Sequence, residues 1–146
     1  VVNRPTELTM ESLLEQIEIE VSDLALSQRK VHFGGPVSVE HGFVLHRSHG
    51  SWNSSIVVSE ELSLTTSKDI LEAVAQGSGP REWLLTLGYA GWGAGQLEDE
   101  IAANAWLTVP ANADLLFETA PEALLDAAIA RLGISRLSLS GIAGHA

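Results

Sequence analysis

The chain has 146 residues, the size of one ordinary domain, with 19 acidic residues against 8 Lys and Arg and a formal charge of −11. Hydrophobic residues make up 45%, enough for a globular core and too many for a disordered acidic tail. No apolar run reaches the roughly 18–20 residues that span a bilayer, and the absence of cysteine excludes disulfides, thiolate metal sites and thiol nucleophiles.

Val1-Val2-Asn3 reads as the end of a strand that Arg4-Pro5 closes, and so as the opening of a fragment of a longer protein. Met10, Leu13, Leu14 and Ile17 then recur at helical spacing, with Glu11, Glu15 and Glu18 on the opposite side and Thr9 as N-cap. Residues 19–30 are polar and mixed and predict a loop. Val31-His32-Phe33 predicts a strand stopped by Gly34-Gly35-Pro36, and Gly42 to His46 another. Ser55 to Val58 and Leu62 to Thr65 predict a hairpin around Ser59-Glu60-Glu61. Thr66 with Asp69 matches a capping box that opens a helix through Ile70, Leu71 and Val74, ended by Gly77.

Trp83 to Leu87 is the most apolar stretch and predicts a central strand. Gly88 to Gly95 is a glycine-rich loop, and Gln96 to Asn104 a short helix. Trp106 to Val109, Leu115 to Phe117, and Leu137 with Leu139 predict further strands. Pro121 opens a helix that stops at Gly133, and Gly141 to Ala146 is a small-residue tail. Strands joined by short turns and interspersed with helices predict an α+β fold with a mixed sheet, organised as a single domain over residues 1–146.

Several separated segments resemble one family. His32-Phe33-Gly34-Gly35-Pro36-Val37 with Gly42-Phe43-Val44-Leu45-His46 is similar to the YqgE/AlgH family of bacterial proteins, as is Leu64 to Leu71. So is Leu87-Gly88-Tyr89-Ala90-Gly91-Trp92-Gly93-Ala94-Gly95-Gln96-Leu97-Glu98, continuing to Asn104-Ala105-Trp106-Leu107, and so is the ending from Gly141 to Ala146. The resemblance implies a mixed sheet curled into a partial barrel with helices outside, a cytoplasmic bacterial protein, and a leading family segment of about forty residues that is absent from this chain. Some family members carry the label of transcriptional regulator.

The residues themselves narrow the chemistry. Gly91, Gly93 and Gly95 lie between a strand and a helix, but a dinucleotide fingerprint would need glycine at position 96 or 98, where Gln96 and Glu98 stand. Glu98, Asp99 and Glu100 in the first helical turn would repel a phosphate, so no cofactor is expected. His41, His46 and His49 cluster, yet His41 and His46 fall on opposite faces of a regular strand, and no metal site is expected. No G-x-S-x-G elbow is present. Only Arg29 and Lys30 are adjacent among the bases, and a −11 chain opposes direct nucleic-acid binding. The expected function is a non-enzymatic binding or regulatory module acting through a protein partner, with Tyr89, Trp92, Gln96 and Glu98 as its working surface. The alternative is a small enzyme or ligand-binding protein using His46, Ser67 or Glu98 in a cleft near the glycine loop.

Overall fold

The computed structural model describes residues 1–142 and divides the chain into two compact units, Val1–Ala90 and a second that begins at Gly91. The first unit holds β1 (Pro5–Thr9), α1 (Met10–Gln16), α2 (Leu24–Ser27), β2 (Lys30–Phe33), β3 (Val37–Arg47), β4 (Ser55–Val57), β5 (Leu62–Thr65), α3 (Asp69–Ala75) and β6 (Trp83–Tyr89). The second, among its described residues, is helical: α4 (Gln96–Ala102), α5 (Ala113–Glu118), α6 (Pro121–Ala130) and α7 (Arg136–Ile142). The class is α+β.

The six strands form one mixed sheet in the order β1-β2-β6-β3-β5-β4. Only the β2–β6 pair is parallel. With β1 and β4 at its two edges, the sheet is open. β6 takes an interior position because Trp83 to Leu87 carries no charge and tolerates cover on both faces. One face of the sheet presents Val31, Val44, Trp83 and Leu85, with Val44 directly opposite Leu85. Met10 and Leu14 of α1 and Ile70 and Val74 of α3 complete this core, each pair spaced one helical turn apart. A side chain such as Leu85, 1% exposed, contributes about 1.5–3 kcal/mol by leaving water.

Two glycine segments meet where β6 ends. Gly88 has φ +76°, and a Cβ there would stand 2.3 Å from the Gly35 carbonyl oxygen. A Cβ on Gly35 would stand 2.2 Å from the Tyr89 carbonyl carbon. Only glycine on both chains permits this approach, and the Gly34 N–H donates to the Leu87 carbonyl at 2.7 Å across it.

Several expectations are corrected. Val1 and Val2 precede the first strand, and Pro5 opens β1 rather than closing an earlier one. Pro is tolerated there because β1 is an edge strand. The 19–30 segment contains α2, whose N-cap Asp23 accepts from the N–H groups of Ala25 and Leu26. Thr9 caps α1 as expected, accepting from the Ser12 N–H. Thr66 does not cap α3: Lys68 occupies the N-cap, and Ser67 binds Asp69 instead.

In the second unit, residues 106–109 form no strand. Leu115 to Phe117 lie in α5, because Asn112 Oδ1 accepts from the Leu115 N–H at 2.9 Å and starts a helix. Leu137 and Leu139 lie in α7, where Ser135 Oγ accepts from the Ser138 N–H. Pro121 stands in the first turn of α6, and Gly133 follows that helix with φ +73°. Residues 143–146 of the expected tail lie outside the described residues.

Candidate functional site

The six residues singled out from the sequence fall into separate settings. Tyr89 belongs to the first unit. It ends β6, stays 42% exposed and meets Phe43 edge-on at 5.6 Å between ring centroids.

His46 is buried on β3. Its Nδ1 lies 2.8 Å from the Arg47 carbonyl oxygen, which can only accept, so Nδ1 carries the proton. In the neutral ring Nε2 then accepts from Thr65 Oγ1 at 2.8 Å, and Thr65 in turn accepts from Ser55 Oγ at 2.7 Å. Thr65 has no exposed surface, so this chain lets a polar histidine sit in the sheet with both nitrogens bonded. Ser67 works nearby as a fastener. Its hydroxyl donates to Asp69 Oδ1 at 2.5 Å and accepts from the Ser54 N–H, while Asp69 Oδ2 accepts from the Asn53 N–H. The Ser67 bond, reinforced by backbone N–H donors, lowers the Asp69 pKa.

Another histidine, not singled out from the sequence, is buried on β2. Neither ring nitrogen of His32 has a hydrogen-bond partner among the described residues. Burial, assisted by the charge of Arg29, lowers its pKa.

Trp92, Gln96 and Glu98 belong to the second unit, and two of them converge on a residue not singled out from the sequence. Glu100 of α4 accepts three side-chain hydrogen bonds: from Trp106 Nε1 at 2.6 Å, Gln96 Nε2 at 2.9 Å and Trp92 Nε1 at 3.1 Å. These bonds, the Trp106 one first, lower the Glu100 pKa. Gln96 Oε1 also accepts from the Gly93 N–H at 3.0 Å, which ties the glycine loop to the helix. The two indoles meet edge-on with centroids 5.8 Å apart. Both stay open to solvent, Trp92 39% and Trp106 48% exposed, as are Ile101 and Leu107. Glu98 stands exposed in the first turn of α4, outside this cluster. Gln96 and Glu100 are four residues apart, one helical turn, so their meeting was readable from spacing. The indole bonds were not.

The glycines of this loop differ in need. Gly95, N-cap of α4, requires its φ of +79°, whereas a Cβ on Gly93 would meet only Gln96 Oε1 at 3.7 Å. Two roomy clefts in the first unit are lined by residues from 11–22 with 75–76, and from 47–52 with 78–82. Neither involves the glycine loop.

A sheet in the order above, with a second unit that is helical among its described residues, defines an α+β protein of mixed topology. Residues 1–137 match the sequence profile of the AlgH-like family. Relatives agree along the whole chain: a UPF0301 protein of Thioalkalivibrio sulfidiphilus is 54% identical over 146 residues, which cover all of this chain and 78% of that protein. A UPF0301 protein of Bordetella petrii is 55% identical over 146 residues, all of this chain and 72% of its own length. The solution structure of the AlgH protein from Pseudomonas aeruginosa superimposes with a TM-score of 0.79 at 46% identity, covering all of this chain and 77% of that one. The chain belongs to the AlgH-like family.

Proposed function

We propose that this protein is a non-enzymatic regulatory module of the bacterial cytoplasm that binds a protein partner through the Trp92–Glu100–Trp106 cluster. The carrying observation is that two tryptophans are fixed by one carboxylate and left half open to solvent. Indole rings held in one orientation lose little entropy on binding, and exposed aromatic groups ringed by polar ones mark contact surfaces. Seven acids against two bases in the chain from Gly91 onward favour a basic partner and oppose a polyanion such as DNA. No helix among the described residues is long and apolar enough to cross a membrane. Trp92, Gln96 and Glu98 remain the proposed contact residues of the second unit, with Glu100 and Trp106 added to them, while Tyr89 belongs to the first unit and is not part of this surface. Affinity capture from cells with the wild-type chain and with Trp92→Ala/Trp106→Ala tests this reading. The expected result is a partner released by salt and lost in the double variant at unchanged helicity. Equal capture by both overturns it, as does salt-dependent DNA affinity in the micromolar range.

A further inference from the structure

The net charge of −11 hides a local reversal. In the first unit twelve acids face six bases, and the two roomy clefts divide them by sign. One is walled by Glu11, Glu15, Glu18 and Glu20. The other, about 740 Å³, is lined by Arg47, His49, Trp52, Pro80, Arg81 and Glu82 among others. Two of the six bases of the unit therefore line one cleft, whose single acid is already engaged: Glu82 Oε2 accepts from Arg47 Nε. That bond fixes the Arg47 guanidinium in the wall. Arg81 is exposed and pairs with no acid among the described residues. Its charge lines the cleft with no counterion among the described residues.

The rest of the lining sets Trp52, Pro80 and two glycines beside the polar His49 and Ser78. Gly50 lies against the Trp52 indole, with an added Cβ at 3.1 Å from the ring. Pro80 and Gly79 form the opposite side, and a Cβ on Gly79 would run into Val74 at 2.6 Å. The 77–80 turn is thereby held close to α3 by a glycine that cannot be widened, and Pro80 stiffens it. A volume of this size lies within the range of small-molecule sites, roughly 300–1,000 Å³.

We propose that the cleft between the 47–52 loop and the 78–82 turn binds a small organic oxyanion, a carboxylate or a phosphate ester, carried on a flat apolar body. Arg81 supplies the free charge, Arg47 the positioned donor, and Trp52 with Pro80 the walls for the flat part. This site is independent of the partner surface proposed above, since it lies in the other unit and shares no residue with it.

The test is a heteronuclear NMR titration of the full chain, read at the Trp52 Nε1–H and at the Arg81 and His49 amides. The indole resonance is assigned by Trp52→Phe. The probes are benzoate, phenyl phosphate, inorganic phosphate and benzyl alcohol. Saturable shifts are expected with benzoate or phenyl phosphate at a dissociation constant of about 1 mM or tighter. Which of the two binds more tightly identifies the oxyanion. Arg81→Gln is expected to weaken binding about tenfold, while Lys68→Gln, a surface base outside the cleft, leaves it unchanged. Any one of three results overturns the proposal: no saturable shift with either aromatic anion, binding as tight for inorganic phosphate or benzyl alcohol, or an unaltered affinity in Arg81→Gln.

Discussion

Trp83 and Trp92 each sit beside a charged partner, and the two units use them in opposite ways. Trp83, 5% exposed, lies in the sheet core with the Arg29 guanidinium 3.8 Å over its ring, and Arg29 also donates to the Trp83 carbonyl. The charge covers the ring face and the ring stays dry. Trp92 is engaged at its edge: its N–H donates to Glu100, its ring meets Trp106 in a T-shaped contact, and it stays 39% exposed. Covering the face of an indole converts area into stability, whereas bonding only its N–H fixes its direction without hiding it. Trp83 stabilises the core of the first unit, and Trp92 of the second is held in one orientation with its surface left half open to solvent.

Substitution separates the two roles. Trp83→Ala is expected to cost about 3–5 kcal/mol, through lost burial and the cavity left among Val44, Leu85 and their neighbours. Urea melts measure it, and a cost near that of a surface change would remove the distinction. Gly88→Ala is next. It places a Cβ against the Gly35 carbonyl at a positive φ, and it is expected to cost more than about 2 kcal/mol.

For Trp92→Ala the expected loss is only about 1 kcal/mol, the scale of one exposed hydrogen bond and one aromatic pair. A loss as large as that of Trp83→Ala would make Trp92 a core residue and end its reading as a contact. Because Glu100 joins both indoles, Glu100→Gln should alter the fluorescence of Trp92 and Trp106 together and leave Trp83 unchanged.

A smaller effect is read through pH. His32 has a lowered folded pKa, caused first by burial and then by Arg29. Below its ordinary value of 6.5 the unfolded chain takes up a proton that the folded chain resists. Stability is therefore fully retained above that value and falls as the pH drops through it towards the folded pKa. Melting temperatures measured from about pH 7.5 to about pH 5.5 should decline in the wild type and decline less in His32→Phe. Equal slopes would assign the decline to other groups. The smallest change expected is Gly93→Ala, within about 0.5 kcal/mol, because that glycine has neither a positive φ nor a close neighbour.

The sequence by itself determined what depends on near neighbours in the chain. The Thr9 cap, the Met10–Leu14 stripe, the hairpin around Ser59 to Glu61, the Pro121 start and the Gly133 stop all follow from local geometry, and the structure has them where the residues place them. The uncharged run of β6 announced an interior strand for the same reason. The segments misread as strands, Leu115 to Phe117 and Leu137 with Leu139, are too short for alternation to be told from a helical turn. Their caps at Asn112 and Ser135 were the better signal.

Only the tertiary structure decided the sites. That His46 is a buried and fully bonded residue rests on Thr65 of the neighbouring strand β5, which stands opposite Val44 and so diagonal to His46. That Glu100 gathers Trp92 and Trp106 rests on two indoles, eight residues before it and six after it, turning back to one helix. That Arg47 and Arg81 share a cleft rests on the β3–β6 pairing, which sets His46 opposite Trp83 and brings Arg47 to Glu82. Periodicity reports which side of an element a residue faces. It carries no record of which distant residue will face it there, because that is fixed by strand pairing and packing, through contacts far apart in the chain.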